Sequence, residues 1–356
     1  AERTIALAVA AFSYSMHACR EKNSGWQSVE TGTVLGYPYN HEFRLYYELG
    51  AGETSPTGEY KLVQKVYNEA LTECVPLYDA DTSYEGITNL RDLNLHPEEP
   101  VTVDPLLYGA LRKIEESGDR TCFLGPAYEL MHSLFFSETD EEAKHFDPFY
   151  NEDLKEAMEE IAVFARDEES IGFEFLPEER VILHISEDYR AFLEENSLSM
   201  PVNLWYIRTA LILDHVSKKL SDAGLTRGYI VSSDGRMVNM DSGRSYTLTA
   251  YKKGSDGLDV REVLTYDRPI ASVSFRTYPA DEYEASSLFY TYADGTVRNA
   301  HLRNENGLPV TAAEQLLCWS FDDSLTDIVL RMRKYYTEEE WADPEDETIR
   351  VRVFGD

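Results

Sequence analysis

Val202–Met240 reads VNLWYIRTALILDHVSKKLSDAGLTRGYIVSSDGRMVNM, and the fold is read outward from it. Ala210, Leu211, Leu213, Val216 and Leu220 recur at spacings of three and four. That period predicts a helix with one apolar face against a core. Lys218 and Lys219 fall near its C-terminal end, where positive charge complements the helix dipole. Gly224 follows, the residue that best tolerates the left-handed conformation of a helix stop. Gly228-Tyr229-Ile230-Val231 then reads as a short strand and Ser233-Asp234-Gly235 as a sharp turn. A loop before a helix presents free N–H groups, so in many folds such a unit holds an anion or a nucleotide.

The chain has 356 residues, enough for a sizeable core and two subdomains. Hydrophobic residues make up 43% of it, which places it among globular proteins. Lys plus Arg number 33 against 65 Asp plus Glu, a formal net charge of −32. Such a field repels nucleic acid and anionic membrane, so neither is expected as a partner. A phosphate-bearing ligand needs backbone N–H groups, a metal or a local Arg/Lys cluster to override it. Cys19, Cys74, Cys122 and Cys318 are far apart and form no CxxC pair, so free buried thiols are expected rather than a zinc site or disulfides.

No apolar run is long enough for a membrane span. Ile5–Phe12 followed by Met16-His17-Ala18-Cys19 is weakly similar to a lipoprotein leader ending in a lipidated Cys. Glu2 beside Arg3 is a poor flank, so an ordered first strand or helix is favoured. A cytoplasmic location is slightly preferred to an exported, lipid-anchored one.

Along the chain, Tyr60–Cys74 carries an apolar face, and Asp104-Pro105 supplies an N-cap and first-turn proline for a helix through Ile114. Ser137–Lys144 is acidic and reads as an exposed, solvated excursion rather than a calcium loop, which would need a central Gly. Asn151 caps a further helix, and two strands flank Pro177-Glu178-Glu179 as a hairpin. After residue 240 the pattern is mostly β: Ser245–Tyr251, Leu258–Leu264, Ile270–Phe275, and a turn at Asp294-Gly295. A helix is read around Ala312–Leu317, another over Ser324–Met332, and a last strand over Ile349–Phe354. Helices and strands mix without a regular βα beat, which predicts an α+β fold.

In layout the chain resembles the ApbE family, the FAD:protein FMN transferases, from about Thr31 to Met332. The opening Gly-Thr strand corresponds to Gly32-Thr33, and the Ser-x-(I/L)-x-x-(L/F)-N segment to Thr88–Asn94. The D-L-G-G-x-x-K-G-x-x-x-D signature falls on Asn203, Leu204, Trp205, Tyr206, Thr209, Ala210 and Asp214. The Gly-Gly-Asp turn falls on Ser232-Ser233-Asp234-Gly235, and the dG…HI-x-dP-x-tG-x-P segment on Asp294-Gly295, His301-Leu302, Gly307 and Pro309. The magnesium-site Asp and the Thr four residues on fall on Asp327 and Arg331.

The resemblance implies a T-fold-related α+β domain over residues 31–335, with a cleft near 202–240 and 294–331. Residues 1–30 form an N-terminal segment and 336–356 a C-terminal strand or tail. It also implies a flavin site at Asn203, Thr209, Asp214, Ser233, Asp234 and His301, and a magnesium ligand at Asp327. The departures fall on that chemistry. Glycine lets backbone approach phosphate, whereas Trp205 and Tyr206 are bulky. Thr209 removes a lysine charge, and Arg331 sets a permanent cation where a hard metal would take a hydroxyl. Bland readings stand beside the residues that survive: His301 as a hydrogen-bonded structural residue, Asp327 as a helix N-terminal acid, and Asp214 as a surface partner of Lys218. The expectation is an ApbE-like protein that has lost transferase activity, needs no cofactor, and acts by binding, with a protein partner or an altered small ligand. The alternatives are an active transferase using FAD and magnesium, and a structural interaction module. No other hydrolase, metalloprotease or nucleotide motif appears.

Overall fold

The computed structural model describes residues 23–34, 37–52, 54–254 and 257–354. The readings on Ile5–Phe12 and Cys19 lie outside them. Seven strands build one antiparallel sheet, in the spatial order Gly25–Val29, Phe43–Leu49, Gly228–Ser232, Arg236–Asn239, Ile270–Arg276, Gln315–Ser320 and Arg350–Phe354. The chain's first and last described strands are therefore the two edges. In Phe43–Leu49, residues Phe43, Leu45, Tyr47 and Leu49 are buried and the three between them are half-exposed, the period of two that a covered sheet face imposes. The fold is α+β.

Three helices lie on that face: Pro56–Cys74, Arg208–Asp222 and Leu325–Tyr336. The middle one is the helix expected from the 202–240 stretch, and Ala210, Leu211, Leu213, Val216 and Leu220 are all buried in it. A small three-stranded sheet of Val101–Thr102, Arg180–Ile185 and Ile171–Leu176 extends the same core. The long hairpin Tyr246–Gly254/Gly257–Tyr266 lies on the opposite face, where Leu248, Ala250 and Tyr266 pack with Ile270 and Leu317. The capped helix starts hold: Asp104 accepts from the Leu106 N–H at 2.8 Å and Asn151 from Leu154 at 3.2 Å. Cys74, Cys122 and Cys318 are buried free thiols.

Three expectations are corrected. The segment read as a helix around Ala312–Leu317 is the strand Gln315–Ser320. Leu316 joins the helix-side core and Leu317 the hairpin-side core, so a strand covered on both faces gives a continuous apolar run. The acidic stretch from Ser137 is not simply solvated. It holds the short helix Asp140–His145, and Asp140 accepts from the Tyr290 hydroxyl and the Ala293 N–H, both at 3.0 Å. The fully buried Asp147 pairs with Arg298 at 2.8 Å and accepts from the Tyr292 hydroxyl at 2.9 Å. These carboxylates anchor the Phe289–Thr291/Val297–Asn299 hairpin. Asp214, finally, does not pair with Lys218, which takes Asp222 at 2.7 Å instead.

Candidate functional site

The loop that enters the helix Arg208–Asp222 is fixed before the helix begins. Asn203 donates its backbone N–H to Cys122 at 2.9 Å, and its side-chain oxygen accepts from the Trp205 N–H at 2.9 Å. Gly125, at the start of the helix Gly125–His132, has no room for a side chain: an added Cβ would lie on the Met200 carbonyl and 3.0 Å from the Asn203 nitrogen. That close approach brings Tyr128 onto Trp205, with ring centroids 4.8 Å apart and planes 11° apart. The Trp205 indole N–H donates to the Ala300 carbonyl at 3.0 Å, and Tyr206 packs edge-on against Trp205. Both rings face a cavity of about 100 Å³, together with Asp234, Phe275, Ala300 and His301.

Asp234 has no free oxygen. Thr209 Oγ1 donates to Oδ2 at 2.6 Å, Ser232 Oγ donates to Oδ1 at 2.5 Å, and Arg236 closes an ion pair on Oδ2. Arg236 also donates to the Tyr206 carbonyl at 2.5 Å, tying the turn to the loop. The turn needs Gly235: its φ is +87° and a Cβ would come within 2.5 Å of the Ser274 carbonyl. His301 has no carboxylate partner among the described residues. Its ring stands edge-on to Phe275 and Tyr336, and its backbone N–H donates to Asn299 at 2.9 Å. Desolvation pulls its pKa down to about 3, and the fields of Arg333, Arg236 and Arg276 act in the same direction. The imidazole is neutral at physiological pH.

The remaining candidates lie elsewhere. Ser233 is buried, donates its N–H to the Glu42 carbonyl at 2.9 Å, and borders the groove under the long hairpin. Asp214 and Asp327 meet at the start of the helix Leu325–Tyr336. Asp214 accepts from the Leu325 N–H at 3.0 Å, the Thr326 N–H at 2.9 Å and the Thr326 hydroxyl at 2.6 Å. Burial pushes its carboxyl upward, against those three donors. Asp327 forms a capping box with Ser324 and pairs with Lys113 at 2.8 Å. Its carboxyl lies below its ordinary range: burial raises it, and the Lys113 and Ser324 donors outweigh that. Arg331 pairs with Asp323 at 2.9 Å and with Asp346. Among the described residues no cluster of three or more His, Cys, Asp or Glu is arranged to hold a metal ion.

Asp234 and His301 thus line one cavity, Thr209 stands behind Asp234 and Asn203 braces the entering loop, and Ser233, Asp214 and Asp327 serve other positions. The cavity also contains residues that sequence reading missed: Arg236, Arg276, Glu284 and Arg333. Arg333 carries a legible signal. It falls at helical spacing from Val329 and Tyr336, on the apolar face of its helix.

No known family profile and no curated protein matches this sequence. Solved structures do. The ApbE protein of Thermotoga maritima superposes with a TM-score of 0.58 at 13% identity, over 88% of this chain and 86% of its own. The flavin transferase ApbE of Vibrio cholerae gives 0.53 at 14% identity, over 88% and 87%. The fold is ApbE-like. Identity this low carries the architecture and not the activity. No helix among the described residues is long and apolar enough to cross a membrane.

Proposed function

We propose that this chain uses an ApbE-like fold for binding and not for flavin transfer. The observation that carries this reading is the position of Trp205 and Tyr206. In the register of the family signature they replace two glycines, and both rings line the cavity with Asp234 and His301. Sites for ligands of drug size span about 300–1,000 Å³. A cavity of about 100 Å³ is too small for a dinucleotide while both rings stay in place. Trp205 is held by its stack on Tyr128 and its bond to Ala300, so clearing the site means breaking both.

The same reasoning disfavours a magnesium ion at Asp327. Both of its oxygens are engaged, one by Lys113 and the other by Ser324, and the Arg331 guanidinium stands where the resemblance expects a hydroxyl ligand. The residues present therefore do not fit FAD with magnesium, and no catalytic step is derived through them. Beside the groove of about 560 Å³ under the long hairpin, the two rings leave a small cavity with a polar floor and aromatic walls, suited to holding an altered small ligand. A protein partner is the other form that binding can take.

The test is a transfer assay: the chain incubated with FAD, magnesium and a flavin-accepting protein from an ApbE system, read as flavin fluorescence that survives denaturing electrophoresis. The reading predicts an unlabelled acceptor beside a labelled control made with an active ApbE enzyme. A labelled acceptor would overturn it.

A further inference from the structure

Three guanidinium groups line the cavity, in a chain whose net charge is −32. Arg236, Arg276 and Arg333 come from two different strands and a helix, and each is at most 6% exposed. Two have carboxylate partners. Arg236 pairs with Asp234, and Arg276 pairs with the buried Glu284 at 2.5 Å. Arg333 has none among the described residues: its two terminal nitrogens donate to the Thr121 hydroxyl at 2.9 Å and to the Leu302 carbonyl. Asp119 lies one hydroxyl further away, accepting from Thr121 at 2.6 Å. The Nε of each of the three arginines lacks a hydrogen-bond partner among the described residues.

A buried cation without a paired anion costs several kcal/mol. Native interiors rarely leave such a charge uncompensated unless something else neutralises it. The groups around the cavity register the excess. Burial and the neighbouring Arg333 lower the Arg236 guanidinium to about 9, and burial, with the three arginine fields acting in the same direction, keeps His301 uncharged. The lining itself holds three cations against Asp234 and Glu284, and the carboxylate that acts on the third, Asp119, reaches Arg333 only through the Thr121 hydroxyl, so on the cavity side one guanidinium faces no anion. The walls are Tyr128, Trp205, Tyr206, Phe275 and Phe289, flat and apolar. Tyr128, Trp205 and Leu288 are only half-buried, so the cavity opens to solvent along that rim.

We propose that this cavity binds a small organic carboxylate with a planar apolar body, its charge facing Arg333 and its body between the aromatic walls. A single surplus charge matches a monoanion better than a phosphate dianion, and a guanidinium presents paired donors in the geometry of a carboxylate. Volume sets the size: about 100 Å³ admits one ring and not a nucleotide. The inference rests on the binding reading above and names the class of ligand.

Benzoate is the probe, titrated calorimetrically into the full chain at neutral pH, with benzyl alcohol as its uncharged counterpart. Saturable binding of benzoate at one site is expected, with benzyl alcohol at least roughly tenfold weaker. Arg333→Gln should weaken benzoate roughly ten- to a hundredfold and leave benzyl alcohol unchanged. The comparison of the two probes on the unaltered chain decides the matter even where the variant does not fold. Equal affinity for both probes, no heat from millimolar benzoate, or a folded Arg333→Gln with unchanged benzoate affinity would each overturn the proposal. An FAD titration on the same preparation separates the two claims. No binding of either ligand defeats the carboxylate site alone, whereas FAD binding that excludes benzoate defeats the binding reading beneath it.

Discussion

The Trp205 indole N–H donates to the Ala300 carbonyl at 3.0 Å, and that bond joins the loop before the helix Arg208–Asp222 to the segment carrying His301. The two stretches are 95 residues apart in sequence. Trp205→Phe keeps the stack on Tyr128 and loses the bond, so it should cost about 1 kcal/mol of folding stability. Trp205→Ala removes both and should cost roughly 3 kcal/mol. Urea denaturation of the two variants checks the order. Equal losses would mean that the stack on Tyr128 adds nothing beyond the hydrogen bond.

Asp214 binds the first turn of the helix Leu325–Tyr336 through three donors. Asp214→Ala should cost about 2 kcal/mol, since it strands two helix N–H groups. Asp214→Asn keeps a carbonyl oxygen toward them and should cost less. Lys218→Ala, by contrast, loses only an exposed pair with Asp222 and should change stability by less than about 1 kcal/mol.

His301 supplies a dependence on pH. Its folded-state pKa, about 3, lies below its ordinary value, so the unfolded chain binds the proton more readily. Its contribution is fully present above about pH 6.5 and is lost as the pH falls below that. By about pH 4.5 the loss should reach roughly 2–3 kcal/mol. His301→Phe should remove that part of the acid sensitivity. An unchanged acid limb in the variant would show that His301 is not held neutral.

His184 titrates with the opposite sign. Hydrogen bonds to Glu98 and Glu174, both at 2.9 Å, raise its pKa above the ordinary value. Its stabilising effect is fully present below about pH 6.5 and fades as the pH rises through the raised folded-state value. His184→Gln should therefore destabilise the fold at about pH 5.5 and have almost no effect at about pH 9. The triad is half-exposed, so the difference should stay below about 1 kcal/mol. Thermal melts at the two pH values read it.

Much of the architecture is local, and that is why it is legible in the sequence. Asp104, Asn151 and Ser324 each announce a helix start with a side chain that accepts from the first turn. Glu178 and Glu179, at φ of 64° and 51°, make the hairpin turn that a Pro-Glu-Glu sequence between two strands suggests. The site is only partly legible, because its charges are not local. Arg236, Arg276 and Arg333 span nearly a hundred residues with no motif to connect them, and only the seven-stranded sheet and the helix packed on it bring them together. The misread acids share one cause. Asp214, Asp140 and Asp147 look like surface acids until the elements that bury or cap them are packed alongside.

The most direct measurement of the central claim is calorimetric titration of FAD into the chain, with and without magnesium. With Trp205 and Tyr206 narrowing the cavity, no saturable heat is expected in either condition, and Trp205→Gly with Tyr206→Gly should be needed before any appears. Magnesium-dependent, saturable FAD binding by the unaltered chain would contradict the account.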